Sequence, residues 1–157
     1  MSSVSLTYDA LDRMVEQTTG SINTQIMYGP SGAKLALMNS TALIKAFVPL
    51  TGGATGVYTS SGLAYYRHTD NLGSSRFAST PTQTLYSDTA YSPTGELYAS
   101  SGAIDPSFTG QNQDTDPGLY DFLYREFDPL QAKWASPDPS GLAAVDPTNP
   151  QSWNRYV

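Results

Sequence analysis

Any chemistry in this 157-residue chain must be done with carboxylates, hydroxyls and one imidazole, because it contains no cysteine and a single histidine, His68. No thiolate nucleophile, disulfide framework or cysteine-based metal site is available, and one imidazole does not make a zinc centre. Asp70 follows His68 by two residues, a spacing that puts both on one side of a strand and allows a hydrogen-bonded pair. Ser74 and Ser75 come close behind. No nucleophile-elbow pattern accompanies them, so a structural histidine is expected. Asn112, Asp114 and Asp116 alternate like the oxygen ligands of a calcium loop. Gly118 falls one position late for that loop, and no glutamate stands where a bidentate ligand belongs. A solvated turn is expected there, and no metal or cofactor anywhere in the chain. Arg67 and Arg76 are expected to pair with carboxylates inside a polar interior.

The elements that must position these groups read as strands. Leu6 and Tyr8 alternate before the turn Asp9-Ala10-Leu11-Asp12. Ile26 and Tyr28 alternate before Gly29-Pro30-Ser31-Gly32, and Leu35 and Leu37 resume afterwards. No window carries an apolar stripe at helical spacing, so the chain is expected to be all-β. The most apolar run, Leu43 to Leu50, reads as a buried strand, with a helix over Ser40 to Phe47 as the alternative. The Gly-rich Thr51-Gly52-Gly53-Ala54-Thr55-Gly56 then turns the chain into Val57-Tyr58. The Tyr8 and Tyr28 units lie 20 residues apart, which predicts a repeat architecture rather than a closed sandwich. Eight of the eleven prolines fall from Pro93 onward, and Asp105, Asp116, Asp128, Asp138 and Asp146 each precede one, so the second half is expected to be turn-rich.

Charge excludes one class of partner. Only 14% of residues are charged and the net charge is −6, whereas binding phosphates requires clustered Lys and Arg; nucleic acid is therefore not an expected partner. No apolar run reaches the roughly 18 residues that span a bilayer. Met1-Ser2-Ser3-Val4-Ser5 lacks the basic flank and apolar stretch of a secretion signal, so a soluble chain is predicted. Tyr58, Tyr65, Tyr66, Tyr86, Tyr91, Tyr98, Tyr120, Tyr124 and Trp134 could form a stacking face for sugars. Aromatics on strands more often pack hairpin on hairpin, and glycan binding is the minor expectation.

Several ordered blocks carry a resemblance. Phe108-Thr109-Gly110-Gln111, Gly118-Leu119-Tyr120-Asp121-Phe122 and Asp128-Pro129 through Lys133-Trp134-Ala135-Ser136-Pro137-Asp138-Pro139-Ser140-Gly141-Leu142 are similar to the core signature of the Rhs, or YD-repeat, family. Tyr65-Tyr66-Arg67-His68-Thr69-Asp70-Asn71-Leu72-Gly73-Ser74-Ser75-Arg76 looks like its Y-x-H-x-D-x-L-G-S-x-R segment. Tyr91-Ser92-Pro93-Thr94-Gly95-Glu96 looks like its Y-D-P-x-G-E turn. The Tyr8 and Tyr28 units resemble degenerate Y-D-x-x-G-R/K repeats. In that unit the Asp bonds backbone N–H groups two residues on and the Gly takes a positive φ. Asp12 replaces the Gly in the first; in the second Gly29 replaces the Asp and a residue is inserted before Lys34.

The resemblance implies one region over residues 1–157, with degenerate repeats at 1–50, core hairpins at 51–136, and an Asp-Pro-x-Gly loop with the end of the chain at 137–157, where Trp134 anchors the turn before the loop. It implies a segment of a spiralling β shell in an exported bacterial protein, secreted or at the cell surface. The partners implied are the rest of the shell and an enclosed cargo polypeptide, often a toxin. It also implies aspartate-dependent self-cleavage, with Asp138 as the candidate carboxylate and Asp146 as the weaker candidate partner. Hydrolysis by carboxyls needs two of them close together, one ionised and one protonated, whereas an isolated Asp-Pro-x-Gly is ordinarily a turn. The second Asp-Pro-x-Gly-Leu of the family does not occur in this sequence, so the chain as given is expected to be proteolytically silent. Three functions follow: a structural shell or encapsulation module, a self-cleaving peptidase module inactive as it stands, and an adhesive module that binds glycans or joins copies of itself into oligomers or filaments through strand edges.

Overall fold

A computed structural model of the chain describes residues 4–113 and 118–156. Ten strands form one antiparallel sheet in which every neighbour in sequence is a neighbour in space. They are β1 (Val4–Tyr8), β2 (Met14–Thr19), β3 (Ile22–Tyr28), β4 (Lys34–Asn39), β5 (Ala42–Pro49), β6 (Thr55–Thr59), β7 (Gly62–Thr69), β8 (Ser75–Ser79), β9 (Leu85–Tyr91) and β10 (Leu97–Gly102). Short strands follow in two further pieces. β11 (Ser107–Phe108) pairs with β12 (Gln111–Asn112), and β13 (Tyr120–Asp121), β14 (Glu126–Asp128) and β15 (Lys133–Trp134) form a three-stranded sheet. The chain is all-β as expected. The Ser40–Phe47 stretch is a turn and strand, with Ser40 at φ 55° in a two-residue connection.

One turn geometry recurs along one end of the sheet. The N–H of Asp9, Gly29, Leu50, Asp70 and Ser92 donates to the carbonyl four residues on, in Arg13, Ala33, Ala54, Ser74 and Glu96, at 2.8–2.9 Å. The fourth residue of each turn has positive φ: Asp12, Gly32, Gly53, Gly73 and Gly95. A turn that ends on a left-handed residue matches the twist of the strands it joins, and the Leu50 turn has a second one in Gly52. Where the first residue has a polar side chain it finishes the turn. Asp9 Oδ1 accepts from the N–H of Leu11 and Arg13, Asp70 Oδ1 from Leu72 and Ser74, and Ser92 Oγ from Glu96. The turns are spaced 20–22 residues apart, so the period seen in two tyrosine units runs through five hairpins. The register also reassigns Lys34: Ala33 occupies the place of Arg13, and Lys34 begins the strand.

The core is a stripe across the strands rather than a cluster within a hairpin. Met14, Ile26, Leu37, Phe47, Val57, Tyr65 and Ala78 are buried, one from each of β2 to β8. Cross-strand pairing aligns them: Ile26 faces Leu37, and Phe47 faces Val57, which faces Tyr65. Tyr65 stacks on Tyr86 with centroids 4.0 Å apart. The described residues from Ala103 to Tyr120 fold back over the turn end of this face. Gly110 N–H donates to the Gly73 carbonyl, Ser107 N–H to Tyr91 Oη, and Tyr120 Oη to the Gly95 carbonyl. Gly95 has a second reason to be glycine besides its φ of 90°, because a Cβ there would lie 2.6 Å from the Phe108 ring.

Candidate functional site

Asp138 sits in a turn that follows β15. Its Oδ1 accepts from the Ser140 N–H at 2.8 Å, its carbonyl accepts from the Gly141 N–H, and its own N–H donates to the Arg155 carbonyl at 3.0 Å. Oδ2 lies 3.3 Å from Arg125 Nη2. The Ser140 backbone and side-chain hydrogen bonds, with Arg125 and Arg155 nearby, hold its carboxyl below the usual range. Behind the turn, Trp134 meets Phe122 and Phe127 edge to face at centroid distances of 4.9 and 5.3 Å, and Arg125 covers the indole. Trp134 thus fixes the base of the loop by aromatic packing.

Asp146 heads a second turn of the same kind. Its Oδ1 accepts from both the hydroxyl and the N–H of Thr148, which lower its pKa. Neither carboxylate bonds to the other among the described residues, and both are ionised at neutral pH. The two are brought to the same end of the chain but not into a pair that shares a proton.

The other sequence candidates are placed differently from expectation. His68 and Asp70 do not pair. Asp70 is consumed by its turn, and His68 Nε2 bonds Ser79 Oγ at 2.9 Å with its ring beside Phe77. Ser74 Oγ accepts from the Thr109 N–H. Arg67 finds its carboxylate, but Arg76 donates to the Thr89 carbonyl on the neighbouring strand instead. Asp114 and Asp116 of the calcium-like stretch lie outside the described residues. Most of the aromatics proposed as a sugar platform are spent on packing: Tyr65 stacks on Tyr86, Tyr91 and Tyr120 both contact Phe108, and Trp134 meets Phe122 and Phe127. Outside that set, Tyr28 Oη donates to the Met14 carbonyl. Burial, with the Asp121 charge, pushes that Tyr28 phenol up to about 12. Tyr98 remains exposed.

The carboxylate that Arg67 finds belongs to a polar constellation whose other members were not foreseen. Asp105, in the link between β10 and β11, accepts from Lys45 Nζ at 2.7 Å, from Arg67 Nε at 3.0 Å, and from Arg67 Nη2 and Tyr65 Oη. Arg67 Nη1 reaches Asn112. A parallel link joins Lys34 to the buried Asp121 at 2.8 Å. Burial raises the Asp105 pKa, but the Arg67 and Lys45 charges and the Lys45 and Tyr65 hydrogen bonds outweigh it and leave the carboxyl below its ordinary value. Beside these links a cleft of about 520 Å³ opens between sheet and cover, lined in part by Tyr28, Lys34, Phe47, Arg67, Asn112 and Asp121. A signal was present in the sequence: Lys45 alternates with Phe47, and Arg67 with Tyr65, so each basic residue points to the face its apolar neighbour buries.

A single-layer strip of hairpins with a folded-back cover is therefore the class of protein defined here. No protein-family model matches the sequence, and no curated protein is similar to it. Solved structures share the fold. One is a TcdB2-TccC3-Cdc42 crystal structure, at 21% identity and TM-score 0.66, matched over 98% of this chain and 8% of that one. Another is the Photorhabdus luminescens Tc holotoxin pore with a TccC3 mutation, at 20% identity and TM-score 0.65 over 98% of this chain and 8% of that one. TcdB2-TccC3 without its hypervariable C-terminal region gives 20% identity and 0.64 over the same shares. The chain thus spans less than a tenth of the length of these chains, and at this identity the likeness is one of fold.

Proposed function

We propose that this chain is a wall segment of an Rhs-type container, in an exported bacterial protein whose partners are further hairpins of the same wall and an enclosed polypeptide. The observation that carries the reading is the ladder of five hairpins at a 20–22-residue period, with β1 and β10 each paired on one side among the described residues. Such a strip is stable along its length but open at both edges, which suits a sheet that continues. The fold shared with Tc toxin chains supports it. The test is electron microscopy, with protease protection, of the protein encoded by the full reading frame. A hollow β shell that shields an internal segment is expected; a compact particle with no protected segment overturns the reading.

Asp138 supports a second reading, as the ionised half of a self-cleaving carboxylate pair. Its carboxylate is oriented by Ser140 and Arg125 and remains partly open to solvent, which is what a base that activates water requires. The protonated partner would have to come from a downstream segment, and Asp146 is the weaker candidate because its oxygen is already bonded to Thr148.

A further inference from the structure

Two guanidinium groups meet at the Asp138 loop, and one carboxylate is too few for them. Arg125 lies with Cζ 3.9 Å from the Trp134 ring centroid and Nη2 3.3 Å from Asp138 Oδ2, while its Nη1 is buried with no hydrogen-bond partner among the described residues. Arg155 donates from Nη2 to the Asp138 carbonyl, and its Nε is likewise buried without a partner. Backbone pairing holds Arg155 in place. The Trp134 N–H donates to the Tyr156 carbonyl and the Asp138 N–H to the Arg155 carbonyl, each at 3.0 Å.

A buried donor left without an acceptor is costly, and more so when it is charged. Arginine carries five donors in a rigid fork that matches a carboxylate through two parallel bonds. Among the described residues, two forks, one anion, an aromatic wall and two N–H groups without an acceptor gather a surplus of positive charge with unfilled donors. A neutral carbonyl would fill one donor and leave the charge; a planar anion answers both.

We propose that Arg125 and Arg155 form a binding site for a peptide-borne carboxylate, supplied either by a chain terminus or by an acidic side chain of an adjoining segment. The site stands on the arginine geometry alone. It goes beyond the wall reading and does not depend on Asp138 cutting a peptide bond.

The experiment uses the ¹⁵N-labelled 157-residue chain and follows the Arg155 Nε–H and Trp134 indole N–H signals. Three probes are added: N-acetylglycine, which carries a terminal carboxylate; N-acetylaspartic acid α-amide, which carries a side-chain one; and N-acetylglycinamide, which carries none. A saturable shift with either acid and none with the amide is expected, and the tighter of the two acids identifies the source. Arg125→Lys keeps the charge but loses the fork, and should weaken binding about tenfold with the near-ultraviolet circular dichroism retained. No saturable shift with either acid, an equal shift from the amide, or undiminished binding in a folded Arg125→Lys overturns the proposal. Should Arg125→Lys unfold, the acid-against-amide comparison on the unaltered chain decides alone.

Discussion

At the scale of single residues, Asp105 bears more of the structure than any residue singled out for chemistry. It joins the cover to two separate strands through Lys45 on β5 and Arg67 on β7. Asp105→Ala would strand two cations at a part-buried seam, and leaving a buried charge unpaired costs about 3–5 kcal/mol. Chemical denaturation should therefore show a large loss of stability. An effect below about 1 kcal/mol, the worth of a surface pair, would show that the seam is solvated. The pH dependence has a definite sign. The folded-state pKa of Asp105 lies below its unfolded value near 3.9, so its contribution is fully present above that value and is lost as pH falls through the folded pKa. Thermal melts between pH 6 and pH 3 should fall more steeply for the unaltered chain than for Asp105→Asn. Asp138 gives a different test. The 157-residue chain should keep its full mass on storage. In a longer protein that carries a downstream Asp-Pro-x-Gly-Leu, Asp138→Asn should abolish cleavage, because the amide keeps the turn and removes the base. Cleavage at an unchanged rate would leave Asp138 a turn residue only.

At the scale of elements, the hairpin turn is the unit of construction, and its glycine does two jobs. Gly95 adopts φ 90°, and a methyl group there would sit 2.6 Å from the Phe108 ring. Gly95→Ala combines backbone strain of about 1–3 kcal/mol with displacement of the cover. It should destabilise the chain and shift the signals of Phe108 and Tyr120. Gly20→Ala meets no neighbouring atom and serves as the control for strain alone; equal losses in the two variants would refute the packing role. The hairpins were legible in sequence because their signals are local: Asp9 and Asp70 fix their own turns, and alternation in Ile26, Tyr28 and Leu37 reports which face is buried. The cover was not legible. Asp105 bonds residues 38 and 60 positions away, and nothing around Asp105-Pro106 distinguishes it from the four other Asp-Pro pairs in the sequence. Trp134 and Asp138 could be placed from sequence in one loop. Arg125 and Arg155 could not, because their convergence depends on pairing between the end of the chain and β15.

At the scale of the whole molecule, the decisive feature is that the sheet has not closed. Val4, Leu6 and Tyr8 of β1 are 41%, 37% and 44% exposed, although the register places Leu6 and Val4 opposite Gln17 and Thr19 on the face that carries the core. The cover bonds along the turn end and to β4, β5, β7 and β9 through Lys34, Lys45, Arg67 and Tyr91, while Val4 and Leu6 on β1 stay exposed. Among the described residues β1 and β10 are each paired on one side only, which leaves a template for another strand, and β1 has no charged residue to discourage pairing. The chain should therefore associate through its edges at high concentration, and sedimentation velocity checks it. Ser5→Lys with Thr7→Lys puts two charges on the outer face of β1 without touching the core stripe, so the pair should shift the distribution towards monomer while β content is unchanged. If the unaltered chain already sediments as a clean monomer with its β content intact, the edges are self-sufficient, which counts against the proposed place in a continuing wall.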